Sequence, residues 1–415
     1  MNKKKRIVVT GLGVVSCFGN DKDVFFNALL EGKSGVSTIT SFPIDDFPTK
    51  FAAEIKNFDP ADYIDKKQAR RVDKYIAYTF VAAKKALESS NLYPEGYKNL
   101  DPKKGGIIIG SGMGGMQVYN DGVLTLHEKG WKKVTPFFVP FIITNMGGGL
   151  LAMDLGWMGP NYSISTACAT GNNSIIAAAD YIRAGKADYM LCGGAEAPIL
   201  PMGLAGFCAC KALSQRNDEP TKASRPWDKN RDGFVMGEGS GVLLLESLEH
   251  AQARNAPIYA EYLGGGVSCD AYHMTEPRSD GEGVKQCIIN ALEDAGITPQ
   301  QVEYINAHAT STPAGDMAEI NAISKVFDNT KKIVINAPKS LIGHGLGAAG
   351  GLEAVDTVMQ LNSGMFHGTI NLDDPEPLDF IVPKKAEKFD CEIGISNSFG
   401  FGGHNATIVL KKFKE

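Results

Sequence analysis

The chain has no surplus of positive charge: 42 Lys and Arg stand against 47 Asp and Glu, a formal charge of −5. A protein-wide cationic field for gripping nucleic acid is therefore excluded, and any basic patch has to be local. Long apolar runs are missing too. Glycine or charge interrupts every apolar stretch well short of the roughly 20 residues a membrane-spanning helix requires. The eight cysteines are scattered, and the one close pair, Cys208 and Cys210, has the wrong spacing for a CxxC ligand or redox pair. Reduced thiols are the default. No signal peptide is expected, because the apolar run after MNKKKR is broken by Thr10, Gly11 and Gly13 and flows into globular sequence. These absences point to a protein of the cytosol, or of an organelle after processing.

What remains is a globular composition. With 415 residues, 43% hydrophobic and 21% charged, the chain is neither disordered nor fibrous, and its length suggests two or three structural units. Strand-like runs at Ile7 to Thr10, Ile107 to Ile109, Tyr189 to Cys192 and Val242 to Leu245 alternate with helical patterns, the rhythm of α/β layering. One helical face reads Val284, Cys287, Ile288, Ala291, Leu292 and Ala295, with a stop near Gly296. Two internal echoes suggest similar halves. ALESSNL (86 to 92) and ALEDAGI (291 to 297) each precede a strand, and ISTACATGNN from Ile164 and ISNSFGFGGHN from Ile395 each end an apolar strand in a small-residue turn. A join near Pro257 divides the chain into 1–257 and 258–415, with no low-complexity linker between them.

Three residues at strand ends invite chemistry. Cys168, in STACATG, follows a strand-like run and precedes a helix from Ser174 to Arg183, so its thiol lies near a helix N-terminus. Such a terminus contributes up to about 2 kcal/mol, roughly 1.5 pKa units, and would bring a thiol of about 8.5 close to neutrality. The plain reading is a space-filling buried cysteine. His308 (NAHATST) and His344 (LIGHGLG) each follow a short buried-type strand, where open α/β sheets bind ligands; each alone is more often structural. A glycine-rich turn, Asn397 to Asn405 (NSFGFGGHN), could aim a backbone N–H at a carbonyl or could be a hairpin packed on Phe399 and Phe401. It is no dinucleotide fingerprint, because a strand and not a helix follows it.

A cysteine with two histidines leaves several chemistries open. Zinc binding lacks the short-range ligand pairing and a fourth ligand, so no metal is expected. Peptide hydrolysis by Cys-His-Asn would use one histidine and leave the other unexplained. Carbon–carbon bond formation from thioesters uses both, because an enolate oxygen needs two donors in place before its charge develops.

Taken together, VVTGLGVVSCFGN, STACATGNN, SRPWDKNRDGFVMGEG, NAHATSTPAGD, KSLIGHGLGAAGGLE and SNSFGFGGHN resemble, in order and over nearly the whole length, the elongating β-ketoacyl-acyl carrier protein synthases. The resemblance implies the thiolase fold, two similar βαβαβ halves in an α/β/α/β/α stack, and a homodimer. It implies decarboxylative condensation of acyl- with malonyl-acyl carrier protein, with no cofactor beyond the phosphopantetheine the carrier brings. Cys168 then matches the acylated nucleophile, His308 and His344 the pair acting on malonate, and Lys339 the lysine beside them, paired with Glu353. The N–H groups of Cys168 and Phe401 match an oxyanion hole, with the Phe401 ring a gate and Phe399 in support. Thr310 and Thr312 match pantetheine-binding hydroxyls, and Met113 and Phe207 line the acyl pocket. Lys67, Arg70, Arg71 and Lys74, a basic run on a helical segment, match the carrier-docking site, with Lys211 a possible addition. A polyketide-type ketosynthase would share this chemistry, whereas a chain-length-factor-like partner would lack the cysteine. His404, where many bacterial members have threonine, leans toward a plastid-like lineage, so the expected location is the bacterial cytoplasm or the plastid stroma after processing.

Overall fold

The computed structural model describes residues 4–60, 62–328 and 330–414. Among them, nine strands form the main sheet: β1 (Ile7–Val15), β2 (Gly105–Gly110), β3 (Tyr189–Glu196), β4 (Gly239–Ser247), β5 (Ala260–Cys269), β6 (Tyr304–Asn306), β7 (Val334–Asn336), β8 (Ile393–Gly400) and β9 (His404–Lys412). Their order is β2-β3-β4-β1-β5-β9-β8-β6-β7. The seam is thin, since β1 meets β5 only where Ile7, Val8 and Val9 face Tyr262, Glu261 and Ala260.

On each side of that seam the same pattern runs outward. β1, β4 and β3 are antiparallel neighbours and β3 is parallel to β2; β5, β9 and β8 are antiparallel neighbours and β8 is parallel to β6. The second half adds β7, parallel to β6, where the first half has a single parallel bridge between Ile107 and Asn161. Strands such as β4 (GSGVLLLES) are buried along their whole length, which fits a sheet covered on both faces.

Helices supply the cover. α1 (Lys74–Ser89) lies on the outer face of the first half-sheet and α3 (Glu282–Ala295) on that of the second. Between the half-sheets, touching strands of both, run α2 (Thr170–Arg183) and α5 (Ala349–Ser363). This makes five layers, helix, sheet, helix, sheet, helix. α3 buries the expected face, Val284, Cys287, Ile288, Ala291 and Leu292, and stops at Gly296 in the left-handed region. α5, inside the stack, is buried on nearly every side, as a helix between two apolar sheet faces must be.

One echo holds and the other is corrected. ALESSNL and ALEDAGI sit at the C-terminal ends of α1 and α3, helices in corresponding positions that lead to β2 and β6. ISTACATGNN, however, does not correspond to ISNSFGFGGHN. Its counterpart is the segment leading into α5, where a single 3-10 turn (Leu346–Ala348) runs into the helix just as Ala167–Ala169 runs into α2. Ala167 and Leu346 take matching left-handed conformations, φ 48° and 50°, uncommon for residues with a side chain. The echo misled because both segments are rich in small residues, whereas the true correspondence lies in backbone conformation.

α2 and α5 approach closely because glycine faces glycine. A Cβ on Gly171 would lie 2.4 Å from the Gly351 amide nitrogen and 2.9 Å from the Gly350 carbonyl carbon. Gly171→Ala is expected to destabilise the fold by about 1–3 kcal/mol through overpacking, measurable by denaturant titration; an unchanged midpoint would mean the helices have room to part.

Candidate active site

Cys168 sits in the 3-10 turn before α2, so the helix N-terminus points at it. The segment before it is not the expected strand: residues 163–166 are irregular, and the Thr166 amide is held by the Thr170 hydroxyl at 2.9 Å. His344, just before the matching turn of α5, places Nε2 2.9 Å from Cys168 Sγ. His308, two residues beyond β6, lies across from His344 with ring centroids 5.3 Å apart and planes at 85°. Phe399 flanks His308 at 5.5 Å and Phe234 flanks His344 at 5.3 Å. All three polar side chains are buried.

The remaining expected residues gather around this centre. Lys339 and Glu353 form a short ion pair, both fully buried. The Phe401 backbone N–H donates to the Cys168 thiol. Gly400 is pressed against the Cys168 turn, where a Cβ would stand 2.9 Å from the Cys168 amide nitrogen. A cavity of about 490 Å³ opens from these groups toward solvent, and Met113, Phe207, Thr310, Thr312 and Lys211 all line it. The two threonine hydroxyls are 3.0 Å apart.

The basic run is exposed but is not one helical segment. Lys67 belongs to a short helix, Lys66–Ala69, Arg70 and Arg71 to the break after it, and Lys74 to the start of α1. Asp65 and Asp73 are the N-caps of the two helices, their side chains accepting amides of the first turn, so a second helix begins at Lys74 and does not continue the first. Arg71 lies over the Phe137 ring at 5.6 Å and shares a second cleft with Lys133, a residue far from the run along the chain.

Burial dominates the electrostatics. It drives both imidazoles well below the usual histidine range, and the positive charge of Lys339 pushes the same way. Both rings are therefore neutral. Burial likewise raises the Glu353 carboxyl above the ordinary range, with Lys339 offsetting part of the rise. The Cys168 thiol is pushed up to about 12 by burial, against the pull of Lys339 and the Phe401 N–H. The expectation of a near-neutral thiol weighed the helix terminus and left out desolvation, which is the larger effect in this closed chamber.

Two carboxylates that sequence reasoning missed fix the loops around the centre. Glu319, on the helix α4 (Pro313–Val326), accepts the backbone N–H groups of His308 at 2.9 Å and Ala309 at 2.8 Å, and the Asn397 amide at 3.0 Å. Glu196, at the end of β3, accepts from the Ser111 hydroxyl and from the amides of Gly112, Met113 and Gly347. Their signal was an acidic residue inside an apolar stretch, AEI in one case and GGAEAP in the other.

Comparison with known proteins gives one answer. The family model described as beta-ketoacyl synthase, N-terminal domain, matches residues 4–251, and that for the C-terminal domain matches 259–373. The chain is 59% identical over 413 residues to the chloroplastic 3-oxoacyl-[acyl-carrier-protein] synthase I of Arabidopsis thaliana, covering 99% of this chain and 87% of that protein. It is 50% identical over 416 residues to 3-oxoacyl-[acyl-carrier-protein] synthase 2 of Vibrio harveyi, covering 99% and 100%. Among solved structures, the ishigamide ketosynthase/chain length factor matches with a TM-score of 0.91 at 33% identity, over 99% of this chain and 100% of that one.

A thiol held near 12 has little thiolate at neutral pH. Alkylation of Cys168 by iodoacetamide, followed by peptide mass analysis, is expected to quicken about tenfold per pH unit from 7 to 9; a plateau within that range would mean the thiol ionises near neutrality after all.

Proposed function

The chain belongs to the β-ketoacyl synthase family, with its thiolase fold and condensing activity, and on that premise we propose the following reaction and division of labour. It condenses an acyl-acyl carrier protein with malonyl-acyl carrier protein, giving a 3-oxoacyl-acyl carrier protein two carbons longer, carbon dioxide and free carrier protein, in fatty acid elongation. The observation that carries this reading is Cys168 Sγ 2.9 Å from His344 Nε2, with His308 across from His344 and all three lining one cavity.

In the first half-reaction the sulfur of Cys168 attacks the acyl thioester, and the carrier's thiol leaves with the proton. The N–H groups of Cys168 and Phe401 face the developing oxyanion. In the second, malonyl thioester enters past Thr310 and Thr312, whose hydroxyls hold the pantetheine arm. Its terminal C–C bond breaks, carbon dioxide departs, and the electron pair stays behind as an enolate. His308 and His344, neutral and therefore able to donate N–H without competing ion pairing, stabilise that oxygen. The enolate carbon then bonds to the acyl carbon on Cys168 and expels its sulfur, which regains a proton. Electrons balance without an oxidant or reductant, so no cofactor is called for.

Lys339, tied to Glu353, keeps positive charge beside the rings and so keeps them neutral. Phe401 gates the chamber, Phe399 supports it beside His308, and Met113 and Phe207 bound the acyl chain. Lys67, Arg70, Arg71, Lys74 and Lys211 attract the acidic carrier. The chain works as a homodimer in the bacterial cytoplasm or plastid stroma, its halves divided at 257/258. Exposed Val123, Leu124, Leu126 and Val139 support a second copy as the cover for that face.

Cys168→Ala is expected to abolish the acyl adduct and elongation, read by intact mass after mixing with acyl-carrier protein; normal elongation would overturn the nucleophile assignment. His308→Ala and His344→Ala are each expected to slow malonyl decarboxylation about 100-fold or more, the scale of a lost oxyanion donor, and to affect acyl loading less. Because the neutral rings persist to low pH, decarboxylation by the native protein should stay level from pH 8 to 6, and a fall centred in that window would mean an ordinary histidine. Charge reversal at Lys67 and Arg71 should raise KM for the carrier and flatten its salt dependence while leaving kcat nearly unchanged, since exposed charges act on encounter; a kcat loss at saturating carrier would move those residues out of the docking role.

A further inference from the structure

Three polar residues form a stripe on the inner helix α5: Glu353, Asp356 and Gln360, at i, i+3 and i+7, all buried. Glu353 meets Lys339. The other two meet the ends of the strands that carry the reacting groups. Asp356 Oδ2 accepts from Asn306 Nδ2 at 3.0 Å and from Gln360 Nε2 at 2.8 Å. Gln360 Oε1 accepts from Asn336 Nδ2 at 2.7 Å, while Gln360 Nε2 also donates to the Tyr304 hydroxyl at 2.7 Å. That hydroxyl donates to Asn336 Oδ1 at 2.7 Å and closes the ring.

His367 completes the arrangement from the far side. Its Nδ1 lies 3.0 Å from the Gly368 carbonyl, which can only accept, so Nδ1 carries a hydrogen; Nε2 meets Asp356 Oδ2 at 3.1 Å. Its backbone takes part as well, with the His367 carbonyl accepting from Asn336 Nδ2 at 2.9 Å. His367, Asp356, Gln360, Asn306, Asn336 and Tyr304 are all fully buried.

Asn306 and Asn336 are paired across β6 and β7 and are the last residues of both. His308 follows two residues after the first and Lys339 three after the second. Both strands are only three residues long, so their backbone ladder alone specifies register weakly. A buried side-chain network at their ends adds the constraint that ladder lacks.

We propose that Asp356, Gln360 and His367 are positioning residues for malonyl decarboxylation: by tying Asn306 and Asn336 to α5 they hold His308 and Lys339 in register opposite Cys168. The inference rests on the role given above to His308. Cys168 hangs from α2 and is outside this network, so loading and decarboxylation should separate.

The test compares full-length variants for acyl-adduct formation on Cys168 and for carbon dioxide release from malonyl-carrier protein. Asp356→Leu, which removes the acceptor, should slow decarboxylation about 10- to 100-fold, the cost of displacing a reacting group by a fraction of an ångström to one ångström, with loading nearly unchanged. Asp356→Asn keeps a carbonyl oxygen for Asn306 and Gln360, its NH2 taking the place of the unpartnered Oδ1, and should restore most of the rate. If Asp356→Leu does not fold, Gln360→Met, which removes the Gln360 bonds to Asn336, Asp356 and the Tyr304 hydroxyl and leaves the Asp356–Asn306 bond in place, should produce the same split. Equal losses in both half-reactions, no loss in either, or failure of Asp356→Asn to restore the rate would overturn the proposal. His308→Ala run in parallel separates the two claims: if it decarboxylates normally, the reading of His308 fails, whereas a slow His308→Ala beside a normal Asp356→Leu sinks only the positioning role.

Discussion

The site depends on one close contact, glycine against glycine, where α2 and α5 begin. Gly171 lies against Gly350 and Gly351 with no space for a side chain on either, so the two 3-10 turns that open these helices meet at the centre of the molecule. Cys168 rides on one turn and His344 stands just before the other, and that is why they touch although 176 residues separate them in sequence. The contact also sets the electrostatics, since two helix N-termini bring their partial positive charges to one point. Anything negative that forms there, a thiolate or an oxyanion, gains from both. The half-sheets on either side keep water away, which makes each of those small charges count for more.

The same dryness explains why the chamber holds neutral rings and a paired lysine. An isolated charge buried here would cost several kcal/mol or shift until it vanished. Lys339 avoids that fate by meeting Glu353, and breaking such a buried pair typically costs about 3–5 kcal/mol, because the remaining charge has no partner. Once the lysine is fixed, protonating either nearby imidazole would place a second positive charge beside it, in a site where burial already disfavours the charged ring. The histidines therefore stay neutral. Neutral rings are the useful state: each can offer an N–H to a developing oxyanion while the ground-state thiol keeps its proton.

Much of this was legible in the sequence because function imposed local patterns. His308 and His344 each stand after a buried segment that turns into small residues, Cys168 follows a strand-like run in the sequence, and the spacing of Val284 to Leu292 marked the outer helix α3 and its stop. The nearness of the three reacting groups came from family resemblance, since no local pattern encodes a contact between residues 168 and 344. What escaped was the supporting polarity. Asp356 and Gln360 are ordinary polar residues of a helix in sequence, and only the fold shows that α5 is covered on both sides. Glu319 looks like any helix glutamate, and only the fold turns it toward the amides of His308 and Ala309. The thiol was misjudged for the same reason: burial by a neighbouring half of the chain leaves no mark within STACATG. The basic run also looked continuous, because the capping role of Asp73 competes, in sequence, with a simple helical reading through it.

The supporting carboxylates also divide the chamber into fixed and lightly held parts. Glu196 gathers four donors from two segments, 111–113 and Gly347, and Glu319 gathers three from two; each fixes backbone amides around the centre. Burial raises both carboxyls, and each hydrogen bond that satisfies them is worth about 0.5–1.5 kcal/mol, so the loop at Met113 and the turn carrying His308 are built to stay in place. The turn Phe401 to Gly403 is different. Its ties are single bonds, the Gly402 amide to the Met274 carbonyl, the Gly403 amide to the Gly400 carbonyl, the Asp270 amide to the Gly403 carbonyl and the Phe401 N–H to the Cys168 thiol, and both Gly402 and Met274 are exposed. Several bonds converge on the side of Met113 and the histidines and only single ones at the mouth, so the turn that carries the Phe401 N–H is the part of the chamber free to move, and its motion need not disturb the two histidines.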